Sequence, residues 1–94
     1  MTFQPTCGSC LPCAEGRSAL CIPGAEANGK GVLMSGEIRL HDSHDHHDIH
    51  HHCGVSGYAE YAVISRHSVV KVDADDIHFA VLALFGCAVQ TGVG

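Results

Sequence analysis

The chain has 94 residues, of which 46% are apolar, and this is enough for one small globular domain. Ten acidic against five basic side chains give a formal net charge of −5, and no cluster of Lys or Arg is present to contact phosphates, so we expect no nucleic-acid partner. No apolar run reaches the roughly 18 residues that a membrane-spanning helix requires, so we expect no membrane partner.

Four cysteines lie close together near the start of the sequence. They are Cys7, Cys10, Cys13 and Cys21. Gaps of two, two and seven residues allow the four sulfurs to meet at one tetrahedral point, which is the geometry of a structural zinc site. Glycine and proline residues between the cysteines permit the tight bends that such a site needs. The spacing therefore predicts a lobe, residues 1–22, in which a bound metal replaces a hydrophobic core.

Two other kinds of chemistry also use clustered cysteines. In a bacterial ferredoxin run the fourth cysteine follows after three residues and precedes proline, whereas here the gap is seven residues and Ile22 follows Cys21. Two disulfides would require a secreted chain, and residues 1–6 show neither the basic region nor the apolar region of a signal peptide. We expect thiolates that bind zinc in the reducing cytoplasm, with an iron-sulfur cluster and disulfides as the alternatives.

The next segment is rich in glycine and polar residues. Residues 22–31 contain one proline and three glycines without a sustained apolar period, which predicts a loop. Short apolar patches at residues 32–34 and 38–40 lie on either side of a Ser-Gly-Glu sequence. This pattern predicts a small hairpin with its turn at residues 35–37.

Residues 41–53, which we call the His-rich segment, contain seven histidines and three aspartates. Imidazoles at this density can bind zinc, nickel or copper loosely in a flexible loop. The candidate ligands are His44, His46, His47, His50, His51, His52 and Cys53. A polar loop without a binding role is the alternative.

The last part of the chain, residues 56–94, has the pattern of ordinary globular protein. Residues 58–64 and 68–72 are rich in aromatic and β-branched side chains and predict two strands. Asp75 or Asp76 can then cap a helix that Gly86 ends. The apolar face of this helix would consist of Ile77, Val81, Leu84 and Phe85.

Three blocks of the sequence resemble the zinc-dependent medium-chain alcohol dehydrogenases, in the order found in that family. The first is the cysteine lobe, and the second is GYAEYAV at residues 57–63, which is similar to the family's Gly-Phe-Ala-Glu-Tyr strand. The third is GCAVQTGVG at residues 86–94, similar to the segment that carries the last protein ligand of the catalytic zinc. His51 and His52 match a His-His pair that often precedes the family's strand. The middle of the chain otherwise departs from the family.

This resemblance implies a fold for residues 1–94. The chain would be part of the catalytic domain, mainly β with short helices, in which a partial chaperonin-10-like (GroES-like) β-barrel carries the zinc-bound cysteine lobe. Residues 1–22 would be the structural-zinc lobe, and residues 41–53 a variable connection. Residues 56–94 would supply the strands and the helix that lead to the cofactor domain.

The resemblance also implies roles for two residues near the end of the sequence. Cys87 by itself would be a small buried hydrophobic residue. In the family, a cysteine in this position joins another cysteine and a histidine to hold a zinc with an open position, which polarises the alcohol oxygen. Thr91 matches a threonine next to the nicotinamide, although a helix-initiating or solvent-facing hydroxyl is an alternative. Residues 92–94 do not form a dinucleotide fingerprint, because the third glycine and the later acidic residue are missing.

The function implied by the resemblance is that of a fragment of a zinc-dependent alcohol dehydrogenase. Its parent enzyme would oxidise an alcohol to an aldehyde or ketone with NAD or NADP, and would be a homo-oligomer. With one catalytic zinc ligand and no cofactor domain, the chain alone is expected to be inactive. The alternative function is a free-standing zinc- or nickel-binding module that uses the cysteine lobe and the His-rich segment.

Overall fold

The computed structural model describes all 94 residues and consists mostly of short helices and turns. The helices are α1 (Leu11–Ala14), α2 (Ile22–Lys30), α3 (Phe79–Leu84) and α4 (Ala88–Val93). Three 3₁₀ turns span Ser18–Leu20, His52–Gly54 and Arg66–Ser68, and two short strands are β1 (Leu40–His41) and β2 (Asp48–Ile49). None of the helices combines the length and the apolar character needed to cross a bilayer.

The prediction of a mainly β fold is wrong. Helices account for 36% of the residues and strands for 4%, and no GroES-like barrel is formed. Neither residues 58–64 nor residues 68–72 form a strand, and Tyr58 and Tyr61 are almost fully exposed. A strand is stabilised by a paired neighbour and by one buried face. These segments have the right composition, but neither condition is met in this chain.

A helix, α2, forms where the sequence predicts a loop. Pro23 lies in its first turn, where a missing N–H costs nothing, and Gly31 ends it in the left-handed conformation with φ of 66°. Cys21 caps the helix by accepting a hydrogen bond from the Gly24 N–H at 3.4 Å. Gly24 is required because a Cβ atom there would lie 2.0 Å from the Pro5 carbonyl oxygen. The residues that suggested a loop are thus used for the cap, the close approach and the end of a helix.

The buried part of the molecule lies in its first half. Nine residues are buried, and all except Ser68 lie between Pro5 and Gly54. The apolar residues among them are Cys21, Ala27 and Leu33. By contrast, neither α3 nor α4 buries any residue. The segment with the most apolar sequence is therefore the most exposed one.

The predicted helix near the end of the chain is present as α3, with a different cap. The side chain of His78 accepts a hydrogen bond from the Ala80 N–H at 3.2 Å, whereas Asp75 and Asp76 lie in a preceding turn. The cap is His78 because α3 begins at Phe79, three residues later than Asp76. Gly86 lies in the turn that ends α3, as predicted, and α4 follows after this turn.

The turn predicted at residues 35–37 is present without a strand ladder. The Gly36 N–H donates to the Leu33 carbonyl at 2.8 Å, and the Leu33 N–H donates to the Glu37 carbonyl at 3.0 Å. However, β1 pairs with β2 further along the chain, with Leu40 opposite Ile49 and His41 opposite Asp48. The hairpin of this protein is therefore formed by the His-rich segment.

Candidate metal centre

The four cysteines of the N-terminal lobe come together in the folded chain. All four Sγ atoms lie within 4.8 Å of one another. The Cys10 sulfur is 3.5 Å from that of Cys13 and 4.0 Å from that of Cys21. A tetrahedral zinc with Zn–S bonds of about 2.3 Å places its sulfurs about 3.8 Å apart. The observed separations fit one such ion and exceed the roughly 2.05 Å of a disulfide bond.

Local backbone geometry positions these sulfurs. Gly8 and Gly16 both have φ of 77°, a conformation that glycine adopts without steric cost, and they provide the tight bends that the sequence predicts. Cys10 immediately precedes α1 and Cys13 lies within it, while Cys21 caps α2. Two helix starts and two glycine turns thus direct the cysteines toward one point.

Backbone N–H groups point at two of the sulfurs. Cys7 Sγ accepts from the N–H groups of Ser9 at 3.5 Å and Cys10 at 3.3 Å. Cys21 Sγ accepts from the N–H groups of Cys7 at 3.2 Å and Gly24 at 3.4 Å. These bonds stabilise a thiolate, and the Ser9 N–H, followed by that of Cys10, lowers the pKa of the Cys7 thiol to about 6. Donors of this kind support the ligands of a metal site.

At a third sulfur, that of Cys13, the surroundings raise the pKa of the thiol instead of lowering it. Burial, followed by the neighbouring Cys10 thiol, raises the pKa of Cys13 to about 12. Removal of its proton would leave a thiolate among closely spaced sulfurs, which is unfavourable without a compensating positive charge. A divalent cation supplies that charge and displaces the protons. The donor set therefore suits zinc, which prefers tetrahedral sulfur ligation.

Cys87 and Thr91 lie together in a separate place. The Cys87 Sγ and Thr91 Oγ1 atoms are 3.4 Å apart, one turn from each other at the start of α4. Both line an open cavity of about 410 Å³, together with Phe3 and Ser18. Cys87 is exposed, so it is not a buried hydrophobic residue. Thr91 lies within α4 rather than at its cap, and it is exposed, as the alternative of a solvent-facing hydroxyl predicts. No other Cys, His, Asp or Glu forms a cluster with Cys87.

The candidate ligands of the His-rich segment do not form one group. His51 is 3% exposed, and its Nε2 accepts a hydrogen bond from the Arg39 N–H at 3.1 Å. Burial, with a smaller contribution from His50, lowers the pKa of His51. The segment also brings together His47 and two residues that the sequence analysis did not name as ligands, Asp42 and Asp45. The alternation of aspartate with histidine is the signal that could have identified them.

Comparison with known proteins identifies relatives of one kind. The chain is 36% identical over 92 residues to the S-(hydroxymethyl)glutathione dehydrogenase of Synechocystis sp., a match that covers 98% of this chain and 24% of the relative. Proteins of the same name from Escherichia coli strains are 35% identical over the same coverage. The chain thus spans about a quarter of the length of these curated relatives.

No protein-family model and no solved structure matches the chain. The relatives match from end to end of this sequence, including all three blocks that carry the resemblance. Over this length the chain is similar to zinc-dependent alcohol dehydrogenases, as the resemblance of its three sequence blocks predicts.

Proposed function

We propose that this chain forms the structural-zinc region of a zinc-dependent alcohol dehydrogenase. The observation that carries this proposal is the set of four cysteine sulfurs within 4.8 Å of one another. Four protein ligands fill the tetrahedral coordination of zinc and leave no position for a substrate, so the role of this site is structural. Thiolate ligands also suit a reducing compartment, and we place the protein in the cytoplasm for that reason.

The zinc would stabilise a region that has little hydrophobic core of its own. With three apolar residues in the buried set, burial alone contributes little toward offsetting the entropy lost on folding. Binding of a structural zinc is coupled to folding, so its binding free energy stabilises the lobe. We infer that Cys21 couples zinc binding to the formation of α2, because it would be both a zinc ligand and the cap of this helix.

The names of the relatives support a proposal for the activity of the parent enzyme. Their name specifies S-(hydroxymethyl)glutathione dehydrogenase, and we propose that the parent oxidises a hydroxymethyl compound of this class, or another alcohol, with NAD or NADP. Cys87 would be one of three protein ligands of a catalytic zinc, which when bound stabilises the alkoxide oxygen. Thr91, one turn from Cys87, would contact the nicotinamide side of the cofactor.

Zinc content in cysteine variants tests the structural site. Wild-type protein should retain one zinc per chain after dialysis, and Cys10→Ser should lose it together with the folded lobe. Cys53→Ser is the matched control, because Cys53 lies outside the cluster and should leave the zinc content unchanged. Unchanged zinc in Cys10→Ser, or an equal loss in both variants, would show that these four cysteines are not the site.

A further inference from the structure

The His-rich segment folds into a hairpin with a fixed turn. The strands β1 and β2 pair at its base, where His41 Nδ1 lies 3.0 Å from Asp48 Oδ1. Within the turn, the Asp42 N–H donates to the His47 carbonyl at 3.0 Å, and the His46 N–H donates to the Asp42 carbonyl at 3.1 Å. The backbone therefore holds positions 42 and 47 opposite each other.

Three side chains converge on one side of this turn. The ligand atoms of Asp42, Asp45 and His47 all lie within 4.8 Å of one another. His47 Nδ1 contacts Asp45 Oδ1, and Asp42 Oδ1 accepts the His44 N–H at 2.7 Å. The second carboxylate oxygen, Oδ2, of each aspartate accepts no hydrogen bond. Two carboxylates and one imidazole thus lie close to a single point.

We propose that Asp42, Asp45 and His47 form a second metal site, separate from the cysteine cluster, for a divalent transition metal such as Ni²⁺ or Zn²⁺. Mixed oxygen and nitrogen ligands suit these ions, whereas the four sulfurs of the lobe select zinc by their softness. Bonds of about 2.0–2.2 Å to a common ion place its ligand atoms about 3–3.5 Å apart, so these exposed side chains would adjust their positions within the turn. A neutral imidazole binds the ion through the lone pair of Nδ1 with its one proton on Nε2, and the metal takes the place of the hydrogen bond between His47 Nδ1 and Asp45.

The surroundings of the turn favour a cation. Residues 41–53 carry three aspartates and no lysine or arginine, so the local field is negative when the imidazoles are neutral. The turn is exposed, so water can complete the coordination sphere. The side chains of Asp45 and His47 are 67% and 63% exposed, so an ion can reach them without opening the fold. The same exposure keeps the affinity moderate.

Calorimetric titration of the zinc-loaded protein with Ni²⁺ tests this site. We expect one Ni²⁺ per chain, and at least a tenfold weaker affinity in His47→Gln and in Asp45→Asn, as loss of metal-site groups typically costs roughly 10–100-fold. Asp42 is left unchanged because its carboxylate also holds the turn. Zinc content measured after the titration shows whether Ni²⁺ has left the cysteine lobe intact.

His44→Gln is the control, since it removes an imidazole from the same turn but none of the three converging ligands. The proposal requires that this variant change the affinity by no more than about twofold, well below the loss expected for a ligand. Equal losses in His44→Gln and His47→Gln would show that histidine content, and not this cluster, determines binding. Absence of Ni²⁺ binding to the zinc-loaded wild type would also overturn the proposal.

Discussion

At the scale of single residues, His51 shows how one imidazole in a histidine-rich sequence becomes structural. Its N–H donates to the Gly31 carbonyl at 2.7 Å, and its Nε2 accepts from the Arg39 N–H. A ring that accepts at Nε2 must be neutral, and burial keeps it so by lowering its pKa. Its other nitrogen, Nδ1, is buried without a protein partner. His51 thus joins the His-rich segment to the end of α2.

The stability of the protein should therefore fall as the pH drops below about 6.5, the ordinary pKa of an unfolded histidine. In this pH range His51 takes up a proton in the unfolded chain, whereas burial disfavours the protonated ring in the folded state. The free energy of unfolding therefore decreases as the pH falls. The His50 imidazole beside this ring also disfavours its protonation and lowers its pKa further. Urea unfolding at pH 7.5 and 5.5 would measure the effect.

His51→Gln separates this contribution from those of other titrating groups. The variant should be less stable by about 1–3 kcal/mol at pH 7.5, because a buried hydrogen bond is disturbed. It should also lose less stability than the wild type on going to pH 5.5. His44→Gln, which changes an exposed imidazole, should follow the wild-type pH dependence. An unchanged pH dependence in His51→Gln would contradict a neutral, buried His51.

At the scale of elements, α2 connects the cysteine cluster to the rest of the molecule. Its first turn carries the cap Cys21 and packs against the N-terminal segment, where Gln4 donates its side-chain N–H to the Cys21 carbonyl at 3.0 Å. Asn28, further along the helix, donates to the Phe3 carbonyl at 2.6 Å. The helix can approach this closely because Gly24 has no side chain.

Two glycines of α2 provide a matched pair of substitutions. Gly24→Ala should destabilise the zinc-loaded protein by about 1–3 kcal/mol, because its Cβ would lie 2.0 Å from the Pro5 oxygen and the helix would have to move. Gly29→Ala meets no atom within 4 Å and should stabilise the helix by about 0.5–1 kcal/mol. Urea midpoints of the two variants should shift in opposite directions. A shift of both to higher urea would mean that the approach to Pro5 is not tight.

At the scale of the whole molecule, the buried and the apolar parts of the sequence do not coincide. The first half, with the cysteine lobe and the His-rich segment, holds almost all buried residues. In the second half, large apolar side chains such as Tyr58, Tyr61 and Phe79 are at least 85% exposed. Exposed apolar surface of this kind usually marks a region that contacts other protein. The relatives that the chain matches are about four times as long as the chain.

The purified chain should not oxidise alcohols by itself. Hydride transfer requires a bound cofactor and a complete catalytic metal site, and Cys87 belongs to no group of three or more candidate metal ligands. The assay adds primary and aromatic alcohols, S-(hydroxymethyl)glutathione, zinc and NAD or NADP, and follows the absorbance of the reduced cofactor. A longer relative of known activity serves as the positive control. Turnover that disappears in Cys87→Ala would contradict this prediction and would show that the chain is a complete enzyme.

The features that the sequence determined by itself are local ones. The spacing of four cysteines within fifteen residues, together with the bends at Gly8 and Gly16, is sufficient to bring the sulfurs together. The turn at Gly36 and the end of α3 at Gly86 are likewise fixed by residues that are close in sequence. Short loops close at little entropic cost, so such features depend only weakly on the rest of the chain.

The tertiary structure decided the features that depend on distant partners. Position 24 requires a glycine because Pro5 packs against it, and residues 58–64 are not a strand because no neighbour pairs with them. His51 is buried because Gly31 and Arg39 bind it, whereas Asp42 and His47 meet because β1 and β2 pair beneath them. Composition and periodicity describe what a segment can form. Which form it takes is determined by the backbone groups and side chains that reach it from elsewhere in the fold.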